Sequence, residues 1–269
     1  MVTLTSWAPI TGAYLPEVTP FPFMVIAFLF LLGGCLGSFA NAAAMRLVRD
    51  ESPVMPPSRC RFCDTPLRWH DNIPLIGWLI LRGRSHCCKK TIPARYILAE
   101  WGFACLTAWL AWHVPLTIFV VLSLLNLIIF IALLTDSEAM VLHPPSLLAG
   151  IIIGIAASIL VDNWPVTFYD SLTGTLIGGA LIAGVNVIYR LTRGKNGFGQ
   201  GDIWLLAMIG ATFGSLSAVI IFFAASMVGA VTGITLILLQ KAESGSKLPF
   251  GLFLSVVFLL YPGLNMLLV

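Results

Sequence analysis

The stretch at residues 196–210, NGFGQGDIWLLAMIG, passes through three alternating glycines into Asp202 and then directly into an apolar run. A charged group at the centre of a membrane helix costs about 2.5–3.5 kcal/mol on insertion scales, and less near an end. A carboxylate kept at the mouth of a lipid-compatible segment therefore asks for a chemical reason, and composition shows that lipid is the relevant solvent. The chain of 269 residues is 58% apolar and 10% charged, with a mean hydropathy of +0.95. That is too little polar surface to coat a soluble globule of this size.

Long apolar windows recur at 22–45, 97–113, 115–134, 144–161, 170–190, 203–216, 217–239 and 249–268. Windows of about 17–25 residues match the hydrocarbon thickness of a bilayer. The expected fold is an all-α polytopic membrane protein with about eight transmembrane helices, the sixth short and poorly separated from the seventh. All 15 Lys and Arg residues fall in three stretches, Arg46 to Arg95, Arg190 to Lys195, and Lys241 with Lys247. By the positive-inside bias these face the cytoplasm, which puts both termini on the outer side together with Glu17, Asp162 and Asp170. The net charge of +3 thus reports topology, and no nucleic-acid footprint is read in it. The small residues ANAAA at 40–44 invite a cleaved signal peptide, but no basic residue precedes the first apolar run, so the segment is expected to stay.

The longest polar segment, 47–96, carries four of the six cysteines, Cys60 and Cys63 in CRFC and Cys87 and Cys88 in SHCC. Two close pairs at this separation fit a structural zinc site, in which thiolates cross-link a domain too small for a core. The second pair is irregular, so the fourth ligand is open between Cys87, His86 and a group outside the segment. Reduced thiols and a redox CxxC are the alternatives; a cytoplasmic location and the lack of a surrounding βαβ pattern weigh against a disulfide and a thioredoxin-like unit. Cys35 and Cys105 lie in apolar windows, where packing is the expected role. His70, His113 and His143 are isolated, and Trp7, Trp69, Trp78 and Trp164 suit interfacial anchoring. The expected organisation is a first segment at 1–46, a cytoplasmic cysteine domain at 47–96, and a membrane domain at 97–269.

Two carboxylates are expected at the same cytoplasmic depth. The third window runs inward and ends at Asp136, while the sixth starts at Asp202 and runs outward. Asp202 opens a helix, whose unsatisfied N–H groups favour an anion; Asp136 closes one, whose carbonyls oppose it. A pair within hydrogen-bond distance shares one proton, expected on Asp136, with Asp202 as the base that activates water. Gly199 and Gly201 let an extended substrate strand approach beside Asp202. The plainer alternative is an inter-helix turn with Asp202 as N-cap.

GSFANAAAMRL (37–47), CRFC (60–63), NIPLIGWLILRGR (72–84), RYILAE (95–100), TDSEAM (135–140), GQGD (199–202) and PFG (249–251) together resemble the type IV prepilin peptidases, in the family's order. The resemblance implies a GxGD-type aspartic protease of the bacterial inner membrane with Asp136 and Asp202 catalytic and the active site facing the cytoplasm. Such enzymes remove the basic leader of prepilins or type II secretion pseudopilins, typically between glycine and phenylalanine, and methylate the new N-terminus with S-adenosylmethionine. It also implies a four-cysteine zinc module on Cys60, Cys63 and Cys88, with the third cysteine's place taken by Ser85. Two further departures put Trp204 where the family carries lysine and His143 where it carries proline. The expected partners are pilin-like substrates and membrane lipid; oligomeric state is left open. The rival classes are an ion-coupled membrane transporter, since carboxylates at broken helices also mark ion pathways, and a zinc-loop scaffold without chemistry.

Overall fold

A backbone that runs through lipid must pair its own N–H and C=O groups, and helices do this within one segment. The computed structural model describes residues 21–55, 58–194, 197–240 and 248–268. Among these, eight long helices coincide with the eight apolar windows: α1 Phe23–Leu47, α2 Arg95–His113, α3 Leu116–Ala139, α4 Pro144–Leu160, α5 Phe168–Arg193, α6 Gln200–Phe213, α7 Ser215–Leu238 and α8 Phe250–Leu268. Four of them, α1, α3, α5 and α7, are long and apolar enough to cross a membrane. The expectation of about eight transmembrane helices, the sixth of them short, is therefore met only in part, and for α6 the helical rise gives the reason. At 1.5 Å per residue, α6 covers about 21 Å of a hydrocarbon core about 30 Å thick. Glu17 and Trp7, with Lys195, Lys241 and Lys247, lie outside the described residues.

The described residues divide into two compact units, one up to residue 119 and one from residue 120 onward. In the first, α1 and α2 pack along a glycine stripe. A Cβ on Gly33 would stand 2.7 Å from Thr107 Oγ1, and one on Gly37 would stand 2.9 Å from the Ala99 carbonyl oxygen. The intervening loop is stapled to α2 by Glu100, whose Oε2 accepts the Leu75 N–H at 2.8 Å, and by Trp101, whose Nε1 donates to the Leu75 carbonyl at 3.1 Å. Cys35 and Cys105 are exposed on their helices, which corrects the expectation that they pack internally.

The second unit is built around α6. From Leu205 to Phe213 every residue of this helix is buried, and a helix apolar on all sides belongs at the centre of a bundle. Its neighbours are α4, α5, α7 and α8. Small residues make that enclosure possible: Gly174 and Gly178 of α5 lie against the α6 backbone at Gly210 and Leu206, and Gly150 and Gly154 of α4 face Met208 and Ala211. Both pairs are glycines four apart, the spacing that lets membrane helices approach closely. Ser171 Oγ adds a buried hydrogen bond of 2.6 Å to the Ala211 carbonyl.

Gly214 ends α6 at φ +85 and ψ 178, a conformation open to glycine. It turns the chain into α7, whose first residue donates to Asp170 Oδ1 from Ser215 N at 3.3 Å and Ser215 Oγ at 2.9 Å. Asp170 is thus the cap of α7, at the opposite end of α6 from Asp202. Trp164 is buried at 8% exposure, which corrects its assignment as an interfacial anchor.

Adding a methyl at Gly174 drives it into the Gly210 backbone, whereas Gly184 has open space. Overpacking of this kind typically costs about 1–3 kcal/mol. Gly174→Ala is expected to lower the melting temperature of the detergent-solubilised protein by several degrees while Gly184→Ala leaves it within error; equal melting curves would disprove the close-packed seam.

Candidate active site

Asp136 stands in the last turn of α3 and Asp202 in the first turn of α6, and their side chains are buried to 4% and 6% residue exposure. Gly199 is the N-cap of α6 and Asp202 is the third helical residue, so the plainer alternative, with Asp202 itself as the cap, does not hold. Its Oδ2 accepts the Gly199 N–H at 2.9 Å, reaching back over the turn as the acidic member of a capping box does. Asp136 Oδ2 accepts the Leu252 N–H at 2.7 Å. Leu252 lies in the first turn of α8, just after the sequence PFG.

Each carboxylate therefore faces the positive end of a helix: Asp202 that of its own helix, Asp136 that of α8. This weakens the electrostatic reason for placing a shared proton on Asp136. Among the described residues no hydrogen bond joins the two groups directly. A nucleophilic water and a scissile amide would be held between two such acids.

Leu142 closes the approach between the two acidic helix ends. A Cβ on Gly201 would stand 2.5 Å from Leu142 Cβ, and one on Gly251 would stand 3.0 Å from both Leu142 Cδ1 and Asp136 Oδ2. Gly201 and Gly251 thus make room for this side chain and for the carboxylate. Met140, at φ +54, turns the backbone out of α3 toward Leu142. His143 then caps α4, accepting from Ser146 N at 3.4 Å through Nδ1.

Sequence reasoning missed the clamp on the glycine loop. Asn186 of α5 pairs with both polar groups of Phe198: its Oδ1 accepts the Phe198 N–H at 2.7 Å and its Nδ2 donates to the Phe198 carbonyl at 3.2 Å. The Phe198 ring lies 4.5 Å from that of Phe250 and 6.2 Å from that of Phe222. These rings join the loop before Asp202 to the start of α8, where the partner of Asp136 resides. An amide side chain within an apolar window was the available signal for Asn186. Trp204, in the lysine position, is 41% exposed.

In the first unit, Cys60, Cys63, Cys87 and Cys88 bring all four sulfurs within 4.8 Å of one another. Cys60 and Cys88 are separated by 3.8 Å, and Cys63 and Cys87 by 3.1 Å. Tetrahedral zinc with bonds of about 2.3 Å requires sulfur separations of about 3.8 Å, so Cys60 and Cys88 already match and the remaining sulfurs need shift by only about 1 Å or less to hold that metal. His86 is outside the cluster, and Cys87 is the fourth sulfur.

The two knuckles repeat one hydrogen-bond pattern. Cys60 N donates to the Thr65 carbonyl and Asp64 N to the Cys60 carbonyl; Ser85 N donates to the Lys90 carbonyl and Lys89 N to the Ser85 carbonyl, all at 2.9–3.0 Å. Asp64 and Lys89 both adopt positive φ, 53 and 59. Ser85 accordingly occupies in the second knuckle the place of Cys60 in the first. It contacts Cys88 Sγ through Oγ at 2.9 Å, and Cys87 supplies the displaced thiol. Contact with the Thr65 hydroxyl and then Cys87 draws the Cys63 thiol down to about 6, while contact with Cys63 pushes Cys87 up to about 11. Crowded thiols of this kind share protons that a bound cation releases.

Comparison with known proteins agrees in both units. Residues 31–114 match the family described as Bacterial Peptidase A24 N-terminal domain, and residues 123–234 match the Type IV leader peptidase family. A prepilin leader peptidase/N-methyltransferase of Stutzerimonas stutzeri is 35% identical, covering 88% of this chain and 89% of that protein. Proteins of the same description from Myxococcus xanthus and Pseudomonas aeruginosa are 38% and 30% identical; the alignments cover 82% and 87% of this chain and 65% and 89% of the relatives. No solved structure matches significantly. On the strength of these matches along most of its length, the chain belongs to the type IV leader peptidase family, the prepilin leader peptidase/N-methyltransferases.

Proposed function

We propose that this chain removes the leader peptide of type IV prepilins or type II secretion pseudopilins at the cytoplasmic face of the bacterial inner membrane, and methylates the exposed N-terminus. The observation that carries the peptidase half is the pair Asp136 and Asp202, both buried and each held by the N–H of a helix start. Both termini are periplasmic in this reading, and the helices outside the four clear spans complete a multi-pass bundle.

Hydrolysis requires an extended substrate, because a helical peptide hides its amides in its own hydrogen bonds. The strand passes beside Gly199 and Gly201, with Leu142 displaced to admit it. One ionised carboxylate takes a proton from water as its oxygen bonds to the scissile carbonyl carbon. The protonated partner gives a proton to the departing amide nitrogen, and the carbon–nitrogen bond breaks. Burial makes the pair effective, since low dielectric discourages two negative charges side by side and keeps one proton available. The prepilin's apolar segment partitions into lipid, which contributes more to recognition than attraction between its basic leader and a basic enzyme. S-adenosylmethionine supplies the methyl group when bound; the acceptor is the new α-amine. Zinc held by Cys60, Cys63, Cys87 and Cys88 supplies a cross-link to a loop with little core of its own.

Asp136→Asn and Asp202→Asn are each expected to reduce leader removal at least about 10²-fold with the protein still inserted, read as the substrate's mass after co-expression. Retained cleavage in either variant would falsify the peptidase assignment and return the ion-transporter alternative. For the wild type, cleavage rate against pH should be bell-shaped, as one acid and one base require. Asn186→Ala frees the Phe198 peptide and is expected to slow cleavage about tenfold, with Asn186→Asp recovering only the part due to the Phe198 N–H; an unchanged rate means that the loop is held by the aromatic cluster alone. Cys87→Ser is expected to abolish stoichiometric zinc by elemental analysis, and the double change Ser85→Cys with Cys87→Ser to restore it. Zinc retained in the single variant would exclude Cys87 as a ligand.

A further inference from the structure

The residues at 73–81, IPLIGWLIL, carry no charged side chain and are too few to cross a bilayer, which takes about 20. In a loop surrounded by water such a run would be folded inward. Here Leu75 and Gly77 are buried, but Ile76, Leu79 and Ile80 are 47%, 50% and 65% exposed. The last two belong to a single helical turn, Gly77–Ile80, so the turn presents an apolar side to its surroundings.

The depth of this run follows from the two helices that it packs against. A Cβ on Gly34 of α1 would stand 2.7 Å from Leu75 Cγ, and Glu100 and Trp101 of α2 hold the Leu75 backbone. α1 is long and apolar enough to span, and its last turn carries Arg46. Gly34 precedes Arg46 by 12 residues, about 18 Å along the helix. Glu100 lies 5 residues into α2 from Arg95, about 7 Å along that helix. Basic residues at the cytoplasmic ends of spans mark the headgroup level. Both helices therefore put Leu75 on the lipid side of that level.

The hydrogen bonds agree with a water-poor setting. Leu75 stands outside the helices at φ +70, and side chains pair both of its backbone groups: Glu100 Oε2 accepts its N–H, and Trp101 Nε1 donates to its carbonyl. Gly77 N donates to the Ile73 carbonyl at 2.8 Å and Ile80 N to the Ile76 carbonyl at 2.9 Å. Irregular backbone is tolerated at membrane depth when protein groups satisfy it in this way.

Just after this run the charge changes. Ile80 and Leu81 open onto a pocket whose other walls are Arg82, Arg84, His86 and Lys89, with no carboxylate among its lining. Among the described residues, Arg82, Arg84 and Lys89 make no ion pair. An aliphatic tip bordered by cations is complementary to an anionic leaflet, which offers acyl chains to the one and negative headgroups to the other. Guanidinium groups bind phosphate oxygens through paired hydrogen bonds. A zwitterionic headgroup brings a cation of its own into a pocket that has no acid to receive it, and a soluble anion leaves the aliphatic tip in water. An anionic phospholipid matches both parts.

We propose that residues 73–81 are an immersed tip of the cysteine loop, with Ile76, Leu79 and Ile80 among acyl chains and Arg82, Arg84 and Lys89 holding the phosphate of an anionic phospholipid. The loop then rides on the leaflet instead of standing in the cytosol. The assignment takes the cytoplasmic orientation from the proposed function and none of its chemistry.

The test uses the full-length, zinc-replete protein in nanodiscs containing phosphatidylglycerol or phosphatidylcholine with a photoactivatable acyl chain, and adducts are mapped by mass spectrometry. The expected result is labelling within 73–81 as well as on α1, at least about fivefold stronger in 73–81 from phosphatidylglycerol than from phosphatidylcholine. Arg82→Gln with Arg84→Gln, both at exposed positions, should bring that preference below about twofold with zinc content and melting temperature retained. Leu79→Gln with Ile80→Gln should cut the labelling of 73–81 at least about threefold while α1 labelling stays, and serves if the arginine variant does not fold. Adducts on α1 with none in 73–81 would overturn the immersed tip. Equal labelling from the two lipids, or a preference undiminished in the arginine variant, would overturn the headgroup site. Loss of the preference in inorganic phosphate, but not in sodium chloride of equal ionic strength, would identify a site for free anions and overturn the lipid assignment. Failure of leader removal beside the expected lipid results would overturn the proposed function and leave this site standing.

Discussion

Two backbone N–H groups at helix starts, those of Gly199 and Leu252, hold the carboxylates on which the candidate chemistry depends. In a water-poor bundle an isolated acid loses its hydration and tends to become neutral and inert. A helix N-terminus supplies donors and a positive dipole end without adding a mobile cation. Asp202 obtains this support locally, three residues after the donor. Asp136 obtains it from 116 residues away, because its own helix ends there and offers carbonyls. The PFG segment before α8 is thus part of the aspartate pair, and Gly251 leaves space for both Asp136 and Leu142.

That arrangement needs α6 at the centre of its unit with little freedom to slide. Lipid provides almost no hydrophobic drive for helix association, so close packing has to do the holding. The glycines of α4 and α5 let backbones meet, Ser171 and Asp170 fasten the far end, and Asn186 with the Phe198 ring fastens the end bearing Asp202. A short helix is well suited to this place. With an N-terminus that does not have to reach a lipid headgroup, its first turn can remain a buried reactive edge.

The cysteine loop solves a different problem, that of ordering about fifty residues with little core. Its two knuckles share one backbone pattern although their sequences differ, and the pattern gives Ser85 the place that Cys60 has in the first. Moving a thiol from 85 to 87 preserves four sulfurs within metal reach because the adjacent residues of a tight turn project near one another. Ser85 keeps a polar contact to Cys88.

Hydropathy and residue spacing were sufficient to expect helices at every long window, to single out Asp136 and Asp202 at helix ends, and to expect the two cysteine pairs to meet. These features were legible because helical hydrogen bonding, burial of apolar residues and the cost of a membrane carboxylate are local or compositional. The partner of Asp136, the Asn186 clamp, the filling of Gly201 by Leu142, and the choice of Cys87 over His86 depended on tertiary structure. So did the central position of α6, since a helix apolar on every face carries no stripe that says which neighbours it will meet. Each of those outcomes is a meeting of residues distant in the chain, or a choice of side-chain direction within a turn, and neither is encoded by periodicity along the sequence.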